Sequence, residues 1–199
     1  MKKYIIFLLT AILMISITNA ANYVLDKTHS VIMFQINNYA QLGIPTIGRF
    51  KNFEGILYID EKDFTKSNVK IKVFTNSLDT GNSERDRHLL GEDFFNAEKY
   101  PLIEFYSTSI TPLIKDNSQF ILNGKMVMLG VEKEISTYVK KEQEGKNFMN
   151  KDIIIYSTKF TINRADFGMN KYLPLIDNKV DITLFLEFIK QEEGKKLIE

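Results

Sequence analysis

The sequence predicts an all-β protein, and three observations carry that prediction. Apolar and polar residues alternate with a period of two through most of the chain after residue 20, the pattern of half-buried strands. About eight such segments follow one another, separated by turn-forming residues. Only one segment has helical character. Many antiparallel strands with little helix give a barrel or a sandwich.

A targeting segment comes first. Lys2 and Lys3 form a basic start, Tyr4 to Ile17 is apolar except for Thr10 and Ser16, and Thr18-Asn19-Ala20 precedes Ala21. This is the pattern of a secretory signal peptide over residues 1–20, cut after Ala20 or one residue later. The apolar run of about 14 residues is shorter than the roughly 20 a bilayer-spanning helix needs. No transmembrane segment is therefore expected in the mature protein.

The strands then follow in order. Ser30–Asn38 places Ile32, Phe34 and Ile36 on one face. Gly55–Asp60 separates Ile56 and Tyr58 from Leu57 and Ile59. Asn68–Phe74 puts Val69, Ile71 and Val73 opposite Lys70 and Lys72. Ser83–Phe95 is the helix candidate: Asn82 or Ser83 can cap it, and Glu84 and Asp86 suit its first turn. Leu102–Ile110 resumes the alternation. Gln119–Leu129 and Glu134–Lys141 read as a hairpin, with Gly130 where the turn needs positive φ. Asp152–Ile162 and Val180–Lys190 complete the set, and residues 191–199 form a charged tail. Ser30–Asn38 and Val180–Lys190 are apolar on both faces. The helix, long loops or a homodimer contact would have to cover their outer side.

Composition narrows the function. The 199 residues contain no Cys and no Trp, but 15 Phe. Without Cys there is neither a disulfide nor a lipid-modified Cys, so an exported domain must be held by its core. Leaving out Lys2 and Lys3 of the signal segment puts the net charge at −1, which argues against a nucleic-acid binder. Catalytic and metal patterns are missing. The two histidines, His29 and His88, lack zinc-site spacing, so neither a metal nor another cofactor is expected. Ser30 beside His29 is no hydrolase dyad, because adjacent strand residues face opposite ways. Asp166-Phe167-Gly168 has no phosphate loop before it. Gly168 reads as a turn residue and Phe167 as core.

A series of short motifs carries a resemblance. They are His29-Ser30, Gly48-Arg49-Phe50 with Phe53-Glu54-Gly55, and Leu78-Asp79-Thr80-Gly81. Arg85-Asp86-Arg87-His88-Leu89, Asp93-Phe94-Phe95 and Tyr100-Pro101 with Phe105-Tyr106-Ser107 follow. Gly124 with Leu129-Gly130-Val131-Glu132-Lys133, then Arg164-Ala165-Asp166-Phe167-Gly168-Met169, close the series. In this order they resemble the YceI-like family over nearly the whole of residues 21–190. The resemblance implies an extended, eight-stranded, antiparallel, lipocalin-like barrel around an apolar cavity. It also implies a periplasmic location and a long-chain lipid partner of the polyisoprenoid type, bound rather than transformed. Glu132, where Thr is common, and Met169, where an aliphatic residue is common, depart from the pattern at turn and packing positions.

The physics of such a cavity agrees. Eight strands enclose room for side chains or one small ligand, and each buried methylene is worth about 0.8 kcal/mol. The expected lining is Phe34, Ile36, Phe53, Val69, Ile71, Val73, Phe105, Met128, Phe160 and Leu184; the same residues could instead simply fill the barrel. His29, Arg85, Asp86 and His88 are expected at a polar mouth. There they either meet a polar or phosphorylated head group, or Arg85 and Asp86 form a pair that fixes the helix to the barrel. Two other functions remain open at this point: an enzyme acting on an isoprenoid or quinone in the cavity, and an interaction module of envelope stress or adhesion built on a filled barrel.

Overall fold

A computed structural model describes residues 20–39 and 43–192. The expected signal peptide lies outside these residues except for Ala20, as does the tail from residue 193 onward. Among the described residues, eleven strands form one antiparallel sheet: β1 (Ala20–Leu25), β2 (Val31–Asn38), β3 (Ile44–Phe50), β4 (Phe53–Asp60), β5 (Asn68–Phe74) and β6 (Leu78–Asp79), then β7 (Leu102–Pro112), β8 (Gln119–Met128), β9 (Val131–Lys146), β10 (Asp152–Asn163) and β11 (Ile176–Lys190). The helix α1 (Ser83–Leu90) follows β6.

The eleven strands make eight barrel staves. β1 runs into β2, β3 into β4 and β5 into β6, each pair being one long strand broken by a bend. β4 pairs with β1 while β3 pairs with β2, so the first two staves bend together. β6 pairs with β3 at Arg49↔Asp79 and Phe50↔Leu78. The order then continues β4-β5-β7-β8-β9-β10-β11. β11 closes the ring, pairing with β2 along Ile176–Phe185 and with β1 along Phe188–Lys190. A closed ring leaves no long sheet edge for other chains to pair with.

Polar side chains hold the bends, where ladder bonds are missing. Ser30 Oγ accepts from Glu187 N at 2.9 Å, which ties the start of β2 to β11. Ser77 Oγ donates to Phe74 O at 2.7 Å across the β5–β6 bend. The β8–β9 turn is tighter than the sequence suggests. Leu129 and Gly130 both have positive φ, 55° and 75°, the two-residue hairpin geometry that matches strand twist. β9 therefore starts at Val131, three residues before the expected Glu134.

The helix is shorter than the expected Ser83–Phe95. Asn82 caps it, its Oδ1 accepting from Glu84 N and Arg85 N. At Gly91 the backbone turns to ψ 177°, and Phe94 and Phe95 follow in turns whose amides bond back to Gly91 and Leu89. Nor does α1 cover the outside of the barrel. Leu89, Phe94 and Phe95 line the interior instead. On the outer face, Val31 and Phe185 sit opposite each other in the β2–β11 ladder and stay 40% and 43% exposed.

Candidate functional site

The inward residues of the staves do not fill the barrel. They enclose a cavity of about 570 Å³, within the roughly 300–1,000 Å³ of ligand sites. One end is closed by rings. Phe64 sits on the short 3-10 turn Phe64–Lys66 between β4 and β5, and its ring meets Phe120 edge-on at 5.2 Å. Phe120 in turn meets Tyr156 at 5.6 Å. The other end carries α1, the end of β2 at Asn38 and the β10–β11 connection.

Two glycines shape the wall. Phe34 lies across Gly48, where an added Cβ would come within 2.3 Å of its ring, and Phe105 lies across Gly124 at the same distance. The missing side chains let both rings lie flat against the barrel and keep the lumen open. At Gly124 a Cβ would also meet Tyr106 O at 2.6 Å, and backbone cannot swing away. We expect Gly124→Ala to destabilise the fold by about 1–3 kcal/mol, the usual cost of overpacking. Gly48→Ala, which meets mainly the movable Phe34 ring, is expected to cost less and to narrow the cavity. Urea denaturation of the two variants measures the difference.

Nine of the ten expected lining residues border the cavity: Phe34, Ile36, Val69, Ile71, Val73, Phe105, Met128, Phe160 and Leu184. Phe53 does not. It directly follows the β3–β4 break and is packed in the core, 3% exposed. Several residues absent from the expected set belong to the wall, among them Phe50, Leu122, Met126, Ile135, Ile182 and the closing residues Phe64 and Tyr156.

The four expected mouth residues divide. Arg85 and His88 border the cavity, whereas His29 and Asp86 do not. Arg85 and Asp86 do hold the helix, but through Thr80 rather than through each other. Arg85 Nε donates to Thr80 Oγ1 and Nη2 to Thr80 O, both at 2.8 Å. Asp86 Oδ1 accepts from Thr80 N at 2.9 Å and Thr80 Oγ1 at 2.6 Å. His88 packs edge-on against Phe94 and Tyr172, with Asp93 Oδ2 3.8 Å from its Nε2.

His29 lies at the β1–β2 bend, on the side of the β9–β10 turn, where its ring meets Phe148. It is a correction to the mouth assignment. Its Nδ1 is 2.9 Å from Asp26 Oδ2 and 3.8 Å from Glu187 Oε1. Among the described residues, Asp26, His29 and Glu187 are a group whose ligand-type atoms lie within 4.8 Å of one another, which the sequence spacing did not reveal. Asp26 is also fixed by Thr28, whose N and Oγ1 donate to its Oδ1.

This knot sets a pH window. Partial burial opposes ionisation of Asp26, but hydrogen bonds from Thr28 and His29 outweigh it and hold its carboxyl below the usual value. The hydrogen bond to Asp26, reinforced by its charge, raises His29. The Asp26 contribution is present above its unfolded value near 3.8 and fades as pH falls through the lowered folded value. The His29 contribution is full below about 6.5 and is lost as pH rises through the raised value. We therefore expect the melting temperatures of the native protein and His29→Gln to differ most near pH 5–6 and to converge at high pH. Thermal melts of both across pH 4–9 check this.

At the helix end of the cavity lies a buried cation. Arg164 is 1% exposed and donates to four backbone carbonyls: Asp177 at 2.8 Å, Met169 at 2.7 Å, Lys171 at 2.9 Å and Ile176 at 3.0 Å. It thereby shapes the β10–β11 connection. Gly168, with φ 86°, takes the turn expected of it, and Phe167 is buried, as expected of a core residue.

Comparison with known proteins agrees with this architecture. The family model described as YceI-like domain matches residues 23–188. Protein YceI of Escherichia coli O157:H7 is 32% identical over 197 residues, covering 96% of this chain and all of that one. Among solved structures, Burkholderia cenocepacia BcnA superposes with a TM-score of 0.72 at 22% identity, over 82% of this chain and 98% of that one. A polyisoprenoid binding domain from Saccharophagus degradans superposes with a TM-score of 0.65 at 15% identity, over 85% and 98%. With a model match across most of its length and a full-length relative above 30% identity, the chain belongs to the YceI-like family.

Proposed function

We propose that this protein binds and carries a long apolar lipid, of the polyisoprenoid, quinone or fatty-chain type, in the barrel cavity, and that it does so in the periplasm after export. The observation that carries the reading is the unfilled interior itself. A barrel selected only as a scaffold would be packed by its own side chains; here Phe34 and Phe105 are laid against glycines and leave a lumen. Ten buried methylenes would contribute roughly 8 kcal/mol before the cost of immobilising the ligand. The fold shared with a polyisoprenoid binding domain supports the ligand class. The open end bears exposed apolar side chains, Tyr39, Ile44, Leu173 and Leu175, which a lipid leaving a bilayer would meet first.

Binding without turnover is the reading the cavity chemistry favours. Two of the titratable groups on its lining are held away from acid–base work: burial raises the Tyr156 phenol, and Arg164 is occupied by carbonyls. Among the described residues no helix is long and apolar enough to cross a membrane. Native mass spectrometry of protein purified without detergent, followed by solvent extraction, tests the proposal. A stoichiometric lipid adduct is expected. A clean apo mass that persists after incubation with prenyl and fatty-chain lipids would sink it, and would favour an interaction module.

A further inference from the structure

We propose that Asp26, His29 and Glu187 form a binding site for a divalent transition-metal ion of the zinc type, at the seam where the barrel closes. The site is separate from the lipid cavity. None of the three borders it, whereas Leu186 and Phe188, on either side of Glu187, do. Glu187 carries the argument. It is only 7% exposed, yet among the described residues no hydrogen bond reaches its carboxylate and no Lys or Arg pairs with it; the cation nearest to hand is His29, whose Nδ1 is 3.8 Å from Oε1. Burying a carboxylate is costly unless a positive charge meets it closely. A single Nδ1–H serves only one of two carboxylates, and Asp26 Oδ2, at 2.9 Å, is the nearer. Two acids thus converge on one ring nitrogen, and the more buried of them is left without a partner.

The backbone aims these groups at one point. β11 pairs with β2 as far as Phe185 and with β1 from Phe188 onward, so Glu187 lies where the ladder passes the β1–β2 bend. Its own backbone is fixed there, with N donating to Ser30 Oγ and O accepting from Asp26 N at 2.8 Å. Thr28 N and Oγ1 both donate to Asp26 Oδ1. That leaves Oδ2 for the ion and supplies the outer hydrogen bonds that orient a carboxylate ligand. The ligand-type atoms lie within 4.8 Å of one another, and the half-exposed His29 ring is free to turn and close the rest. One imidazole nitrogen and two carboxylate oxygens, with a fourth position open to water, suit zinc. The imidazole speaks against Ca²⁺ and Mg²⁺, which take oxygen ligands. The ion replaces the proton on Nδ1, neutralises both carboxylates and ties the end of β1, the bend and β11 together.

The test uses the native protein, purified without a histidine tag, stripped with EDTA, dialysed and titrated with Zn²⁺ by calorimetry near neutral pH. A single binding event is expected. Zn²⁺ should also raise Tm, and EDTA should reverse the rise, because an ion that binds only the folded chain stabilises it. His29→Gln and Glu187→Gln are each expected to weaken Zn²⁺ binding by at least about tenfold, since even the loss of an outer hydrogen bond to a metal ligand can cost that much. His29 is exposed enough for its variant to fold whatever Glu187→Gln does, and urea denaturation in EDTA checks both. The comparison of His29→Gln with the native protein across pH, described above, belongs to the EDTA-treated protein. Absence of Zn²⁺ binding at millimolar concentration overturns the proposal, as does binding that is unchanged in His29→Gln or in a folded Glu187→Gln. Ca²⁺ held as tightly as Zn²⁺ overturns the choice of ion. Each of these outcomes leaves lipid binding in the barrel untouched.

Discussion

Replacing Arg164 with Met is expected to lower the stability of the barrel by about 4 kcal/mol, near the top of the range for point substitutions. The size follows from what the substitution leaves behind. Met approximates the volume of the side chain, so packing is little changed. Four carbonyls of residues 169–177 lose their donor at once, and a buried acceptor left unpaired costs about 1–3 kcal/mol. Water can reach some of them, because Lys171 and Leu175 nearby are exposed, so the sum stays below the simple total. In a domain of this size the loss corresponds to a fall of about 10 °C in Tm. Urea denaturation should show a lower midpoint with an unchanged slope. Arg164→Lys should recover only part, since an ammonium cannot span carbonyls set around a planar fork. A loss under about 1 kcal/mol for Arg164→Met would mean that the β10–β11 connection holds its shape without this cation.

The β architecture is legible because the inward positions of most staves are large and apolar. β5 shows it most clearly, with Val69, Ile71 and Val73 buried and Lys70 and Lys72 outside. β3 hides it. Its inward residues are Thr46, Gly48 and Phe50, while Ile44 and Ile47 are exposed. The pattern is inverted because the cavity wall there must be thin: Gly48 makes room for Phe34. β1 is hidden for another reason, since Ala21, Tyr23 and Leu25 follow directly on an apolar targeting run. The third missed segment, β6, has only two residues and no periodicity to read. Each of the three is one half of a bent stave whose other half, β2, β4 or β5, is read from the sequence, which is why eight segments read from sequence and eight staves in the barrel agree although the described residues form eleven strands.

The candidate site is legible to a similar depth, and its limits have the same cause. Alternation along β2 leads from Phe34 and Ile36 to Asn38, so period two already pointed to the polar end of the cavity; a polar residue at the close of an apolar series reads as the strand's end instead. The buried role of Arg164 was not readable, because nothing local distinguishes an arginine that gathers distant carbonyls from one in solvent. His29 misleads in the opposite direction. It stands in a motif with Ser30 and precedes an inward strand, yet the β1–β2 bend turns it outward to Asp26 and Glu187.

The second large effect is expected on binding rather than stability. Leu184 lies in the middle of β11, opposite Ile32 on β2 and Thr158 on β10, and it faces the lumen. Leu184→Trp turns an indole into the lumen, where the barrel's own side chains leave about 570 Å³, so no neighbour is forced from its rotamer and folding should be nearly unaffected. A ligand tail, by contrast, must give up the volume the ring takes. Three methylenes excluded at about 0.8 kcal/mol each remove roughly 2.4 kcal/mol, which is a fall of more than tenfold in affinity. Leu184→Met keeps the volume and should bind as the native protein does. Displacement titration with hexadecan-1-ol, alongside urea denaturation of both variants, separates the outcomes. Lost affinity at unchanged stability places the tail in the barrel axis beside Leu184. Unchanged affinity with the indole in place would mean that the lipid is held elsewhere, and the outer apolar face around Val31 and Phe185 would become the surface to probe.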